Sequence, residues 1–232
     1  MRIGIIAAMS AEKELIEREM TNVLKEPYRS FVFVCGTISN NEIILVQSGV
    51  GKVNSSVAVT LLASKYECSL IINTGIAGGI MPLQTKDVVI ATKLSYSDVD
   101  ATAFGYKYGQ VPSMPQFYTP QDGGVLLVKK ALNKLGINYK EATVYSADSF
   151  VTSFKQIESV KPIEGSAIEM EGCAIAQAAF RLGVDFIIIR YISDVIGAKS
   201  QFEDYNKFED EMAIRSSGIT LELLKQIEVQ ND

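Results

Sequence analysis

The 232-residue chain contains no histidine. That absence excludes Ser-His-Asp and Cys-His activation of a nucleophile, and it excludes HExxH and other histidine-based metal sites. Acid–base chemistry near neutral pH then falls to Asp or Glu in environments that shift the pKa. Cysteine is scarce. Cys35, Cys68 and Cys173 are odd in number and widely spaced, the pattern of reduced, buried thiols in a cytosolic protein rather than of a disulfide framework. Basic charge is not in excess: 22 Lys and Arg against 27 Asp and Glu give a net charge of −5, and the scatter leaves no footprint for nucleic acid. Long apolar runs are missing, since "FIIIRYI" at 186–192 is far too short to span a bilayer. The N-terminal "MRIGIIAAMSAEKE" turns acidic at once, so it reads as a first strand and not as a signal peptide. No internal repeat, low-complexity linker or composition shift divides the chain. The expectation is a cytoplasmic protein, one domain over residues 1–232, with neither nucleic-acid nor membrane partners.

What is present is 47% apolar and 21% charged residues, an ordinary globular balance. Short β-branched runs alternate with longer amphipathic stretches. Strands are predicted at 2–8, 29–38, 41–49, 69–75, 87–100, 141–147, 166–170 and 185–193. Helices are predicted at 11–21, 51–65, 122–136, 171–183 and 206–228. Several strands are apolar on both faces, as strands covered by helices on each side would be. Alternation of strands and helices argues for α/β layers. The consecutive strands at 29–49 and the long strand at 87–100 point to a mixed sheet.

In open α/β sheets, ligands bind at the carboxyl ends of strands. Four such places carry polar residues. After the first strand, Ser10 is a candidate N-cap with Glu12 in the first helical turn. A carboxylate there is stabilised in its charged form, which suits a general base, and pattern alone favours a plain first-turn acidic residue. "NTGIAGGI" (73–80) offers glycines for a tight turn or a close approach to a ligand, but fails the dinucleotide fingerprint. "SGVGKV" (48–53) hints at a phosphate loop, yet lacks the first glycine and has Val53 where Ser or Thr is required. "EMEG" (169–172) sets two carboxylates inside an apolar segment, where charge without partners is costly. In "RYISD" (190–194), Asp194 ends an apolar strand that also holds Arg190. Alone, Asp194 is as readily a helix cap as a functional group.

Taken together, "IGIIAAM…E", "SGVGKVN", "INTGIAGG", "DATAFGYKYGQ", "ADSF", "EMEG.AIAQ" and "ISD" resemble the 5′-methylthioadenosine/S-adenosylhomocysteine nucleosidases of the nucleoside phosphorylase superfamily, from residue 2 to about 225. The resemblance implies a three-layer α/β/α fold around a mixed twisted sheet, a homodimer, and hydrolysis of an N-glycosidic bond without metal or organic cofactor. It implies that Asp194 protonates adenine N7 and holds the 6-amino group, with Ser193 beside it. Glu12 activates water, with Arg190 nearby. Glu171 binds the ribose hydroxyls over Met170. Phe150 stacks on adenine, the Val151 backbone reads its edge, and Met9 and Val50 line the sugar and 5′-thio region. Phe104 and Pro112 reach the neighbouring subunit's pocket. Glu169 supports this arrangement without assigned chemistry.

The chemistry fits a histidine-free chain. Adenine leaves poorly unless protonated, and the positive charge that develops on ribose is met by water: one acid and one base. An apolar strand raises an Asp pKa, and a helix N-terminus keeps a Glu ionised. The chain departs from the family in Ala7 for Gly, in Ser10 and Ala11 for an acidic run, and in Ile76 for Ser. Tyr205 stands near the family's late aromatic, displaced by an insertion. Rival readings are a purine nucleoside or methylthioadenosine phosphorylase, whose phosphate a carboxylate at Glu12 would repel; a 6-amino-6-deoxyfutalosine hydrolase; and a non-catalytic adenine-nucleoside-binding protein.

Overall fold

Strands that are apolar on both sides have to be covered on both sides. Residues 3–7 of β1 (Arg2–Ala7) and 186–194 of β9 (Asp185–Val195) are buried throughout. The structure, a computed structural model, describes residues 1–7, 10–161 and 163–231; of residues 11, 209, 210, 212, 213 and 228–231 it describes the backbone alone. Between β1 and β9 the chain forms α1 (Ser10–Arg18), β2 (Thr21–Tyr28), β3 (Phe31–Ile38), β4 (Asn41–Gln47), α2 (Lys52–Ser64), β5 (Leu70–Gly79), β6 (Val88–Tyr96), α3 (Asp122–Lys134), β7 (Tyr139–Ser146), β8 (Ala167–Glu169) and α4 (Gly172–Leu182). Helix α5 (Gln201–Asn231) follows β9.

The described strands join one mixed sheet in the order β2-β3-β4-β1-β5-β8-β7-β6-β9. Strand β5 also pairs with β9, so β5, β8, β7, β6 and β9 close into a ring. The layered, mixed sheet is as expected, and the ring is what the strand pattern did not reveal. Helices α2 and α4 cover one face through Ala58, Val59, Leu62, Ile175 and Ala179. Helices α1, α3 and α5 cover the other through Ile16, Val128, Leu132, Ile219 and Leu223. Strands β1, β4, β5 and β9 run parallel, so their carboxyl ends point the same way. Strand β8 crosses the end of β5 antiparallel, Gly78 opposite Ile168, and delivers the "EMEG" segment there.

Several boundaries differ from the sequence reading. Strand β2, "TNVLKEPY", was not expected. It pairs with β3 alone at the sheet edge and is mostly exposed, so it carries no apolar alternation and tolerates Pro27. Strand β6 stops at Tyr96 rather than 100. Beyond it, Asp98 pairs with Lys52 and Asp100 takes the Thr102 N–H at 2.9 Å, local bonds that compete with a ladder. Helix α5 starts at Gln201 rather than 206, with Glu203 and Asp204 in its first turn, where acidic residues suit the helix dipole. Of the thiols, Cys68 and Cys173 are buried as expected, whereas Cys35 is partly exposed, on strand β3 next to the edge strand β2.

Candidate active site

The carboxyl ends of β1, β4, β5 and β9 open into a cleft of about 730 Å³, counted to its mouth. The "NTGIAGGI" segment is not a turn but the second half of β5, and its glycines serve close approach. A Cβ on Gly75 would stand 3.7 Å from both Arg190 Nη1 and Glu12 Oε1. A Cβ on Gly78 would stand 3.3 Å from Asp194 Oδ2. Three residues of strand, about 10 Å, separate those glycines. Glu12 and Asp194 therefore address different ends of one cleft.

At the Glu12 end, polar groups interlock. Arg190, only 1% exposed, donates from Nη2 to Asn73 Oδ1 at 2.6 Å and to Glu169 Oε2 at 2.5 Å. Glu169 Oε2 also accepts the N–H groups of Glu171 (3.0 Å) and Gly172 (2.7 Å) at the start of α4. Its other oxygen accepts from the Ser146 hydroxyl, which in turn receives the Cys173 N–H at 2.7 Å. A buried charge becomes tolerable when ion pair and hydrogen bonds are both complete. Glu169 is thus the anchor that fixes the β8–α4 turn, and Glu171 emerges from that turn into the cleft. Glu171 Oε1 accepts the Gly51 N–H at 2.8 Å. Burial first, and then the charge of Glu169, push the Glu171 carboxyl well above the usual range.

The "SGVGKV" segment turns from β4 into α2, with Gly49 and Gly51 at φ 79° and 106°. Its first amides go to carboxylates, Gly51 to Glu171 and Lys52 to Asp148 Oδ1 at 3.2 Å. An anion there would meet two carboxylates already seated, so this is no phosphate cradle. The expected cap Ser10 is the first residue of α1, and its hydroxyl turns to Gln47 Oε1 at 3.4 Å.

At the other end, Asp194 is 1% exposed and lies within β9, well before α5, so it caps no helix. Burial raises its pKa, partly offset by hydrogen bonds from Ser193 Oγ to Oδ1 (2.6 Å) and from Gln201 Nε2 to Oδ2 (2.9 Å). The rim above carries Phe150, whose ring meets Tyr205 edge-on at 5.2 Å and 80°.

The chain matches the Phosphorylase superfamily over residues 2–225. It is 39% identical to the 5′-methylthioadenosine/S-adenosylhomocysteine nucleosidase of Halalkalibacterium halodurans, covering 97% of this chain and 99% of that protein. It belongs to that nucleosidase family. The S. pneumoniae nucleosidase, solved with the transition-state inhibitor MT-ImmA, superposes with a TM-score of 0.91 at 37% identity, over 98% of this chain and all of that one. The futalosine hydrolase of Helicobacter pylori superposes with a TM-score of 0.89 at 29% identity, covering 96% of each chain.

Of the residues that the family resemblance nominates, Glu12, Val50, Ile76, Phe150, Val151, Met170, Glu171, Arg190, Ser193 and Asp194 all line this cleft. Phe104 and Pro112 do not; both are exposed, Phe104 at 83%. Met9 lies outside the described residues. Asn73, Ser146 and Gln201 were not singled out from sequence. Asn73 carries the one available signal, an amide inside the apolar run "LIINTG".

Proposed function

We propose that this cleft hydrolyses the N-glycosidic bond of 5′-methylthioadenosine and S-adenosylhomocysteine, with adenine at the Asp194 end and water at the Glu12 end. The reading rests on one observation above the rest. Two buried carboxylates address the cleft from glycines about 10 Å apart on one strand. One is surrounded by neutral donors, and the other shares its glycine with an arginine. Burial raises the Asp194 pKa, so the side chain takes up a proton more readily than an ordinary aspartate, and passing that proton to N7 lets the base depart as a neutral leaving group. As the carbon–nitrogen bond breaks, positive charge grows on the ribose. Glu12 takes a proton from the water that attacks the anomeric carbon. Glu171 accepts hydrogen bonds from the two ribose hydroxyls, donors that compensate the burial of its charge. Phe150 stacks on the base, the Val151 backbone reads its edge, and Val50, Ile76 and Met170 form the apolar wall by the sugar.

The unit is a homodimer in the cytoplasm. Val53 (74% exposed) and Val57 (43%) lie one turn apart on α2, and with Phe104 they present apolar surface of the kind that association covers. In that arrangement Phe104 and Pro112 close the neighbouring subunit's 5′-thio pocket. Three free cysteines suit a reducing compartment.

Purified protein is incubated with methylthioadenosine, with and without phosphate, and free adenine is followed. Release without phosphate is expected; strict phosphate dependence makes the protein a phosphorylase, and no release under either condition makes it a binding protein. The likeness to the Helicobacter pylori futalosine hydrolase supports a second activity, on 6-amino-6-deoxyfutalosine, which keeps the adenine half. The same assay with that substrate decides it.

A further inference from the structure

Gln201 is the first residue of α5 and is buried at 6% exposure, although a glutamine at a helix start has every opportunity to face water. Its carboxamide is held at both ends. Oε1 accepts the Gly197 N–H at 3.0 Å, and Nε2 donates to Asp194 Oδ2 and to the Val151 carbonyl, each at 2.9 Å. The amide orientation follows from chemistry, since a flipped group would set an oxygen against a carboxylate and a carbonyl. Tyr205 follows one turn later on the same face of α5 and reaches Phe150. The first turns of α5 therefore close over the base end of the cleft.

An NH₂ group sharing two hydrogens between a carboxylate oxygen and a backbone carbonyl is also what a 6-aminopurine presents along its amino edge. We propose that Gln201 is a built-in stand-in for the substrate's exocyclic amine: it occupies the two acceptors of the base site in the empty enzyme and gives them up when adenine enters. The inference rests on the proposed placement of adenine between Asp194 and Val151. It makes Gln201 a positioning residue for the two acceptors that select. With Gln201 seated, Asp194 Oδ2 and the Val151 carbonyl are kept aimed at a donor, so a base entering with a 6-amino group replaces the lost bonds one for one. A 6-oxo base brings an acceptor to two acceptors and cannot displace the glutamine without loss.

The test compares wild type with Gln201→Ala and with Gln201→Met, which keeps volume and removes the donor. Adenine and hypoxanthine affinities are measured by calorimetry, and KM and kcat on methylthioadenosine. Removing the internal competitor is expected to tighten adenine binding about threefold to tenfold in both variants and to lower KM in step, while the preference for adenine over hypoxanthine, set by the two acceptors that both variants keep, stays near wild type. A residue that merely supported the fold would loosen binding instead. Adenine affinity equal to or weaker than wild type in the folded variants overturns the proposal. Should neither variant fold, wild-type protein crystallised with adenine decides: the Gln201 amide displaced from Asp194 supports the proposal, and an amide still bonded to both acceptors overturns it. Failure of the underlying reading shows separately, as wild type that releases no adenine from methylthioadenosine.

Discussion

At the base end of the cleft Asp194 is buried with a hydroxyl and an amide for neighbours, whereas at the sugar end Glu169 is buried against the Arg190 guanidinium. Both carboxylates are nearly inaccessible. The difference lies in what compensates them. Neutral donors recover only part of the hydration lost on burial, so burial dominates at Asp194 and its proton is held more tightly. A cation with several converging N–H groups recovers far more, and the sugar end can hold a fixed anion as a structural anchor. One cleft thus holds a carboxyl whose proton burial favours and a carboxylate paired with a cation.

The comparison breaks first, and hardest, at the two carboxylates proposed to react. Asp194→Asn keeps shape and removes the proton donor, so turnover should fall by about 10³–10⁴ with thermal unfolding little changed. Glu12→Gln should cost about 10²–10³ in kcat while leaving adenine affinity near wild type, because the base end is untouched. Adenine release and adenine calorimetry on both variants check this. An active Asp194→Asn enzyme would remove the acid from its assigned place.

Stability distinguishes the ends next. Arg190→Met strips the cation from Glu169 and from Asn73 together, and breaking a buried pair one-sidedly costs roughly 3–5 kcal/mol. Urea unfolding should show a loss of that size. Replacing Ser193 with Ala removes a neutral donor at the base end and should cost about 1 kcal/mol, so equal losses at the two ends would erase the distinction.

The cleft's charged residues stood out because they punctuate apolar strands, while the roles proposed for Glu12 and Asp194 came from the family resemblance and not from pattern. Asp194 and Arg190 interrupt β9, and Glu171 and Glu12 follow strand ends, where a charge needs a reason. Their support was hidden because it comes from far along the chain: Ser146 and Asn73 reach Glu169 and Arg190 only after the ring of β5, β8, β7, β6 and β9 has closed. Gln201 sits in the polar run "AKSQFED", which gives no local hint that its amide turns inward. Of the two uses read for the glycines of β5, close approach holds and the tight turn does not, since composition cannot tell a turn from a strand that approaches Glu12, Arg190 and Asp194. Edge strand β2 buries too little to leave a pattern.

A smaller effect follows from pH. Asp194 and Glu171 both have folded-state pKa values raised by burial, so the empty enzyme binds more protons than its unfolded chain in that window. Stability from these groups is therefore full below the ordinary carboxylate range, near pH 4, and declines as pH rises through the raised values. Glu171→Gln removes one of the two and should flatten the decline. Urea midpoints at several pH values between about 4 and 8 measure it. An unchanged slope would mean that burial of Glu171 is compensated in the folded enzyme and that its carboxyl contributes nothing to the decline.

The smallest effect sharpens the base end alone. Tyr205 meets Phe150 edge-on at 5.2 Å, and such a pair contributes about 0.5–1.5 kcal/mol beyond the area it covers. In Tyr205→Leu the Phe150 ring loses its buttress, and adenine should bind about twofold to tenfold more weakly. The pair is proposed to hold the base rather than to move a proton, so once substrate saturates, kcat should stay within about twofold of wild type. Adenine calorimetry beside saturating kinetics separates the two. A fall in kcat larger than the fall in affinity would tie α5 to the chemistry at Asp194, and the two ends of the cleft would then act as one coupled unit rather than as the independent pair their hydrogen bonds describe.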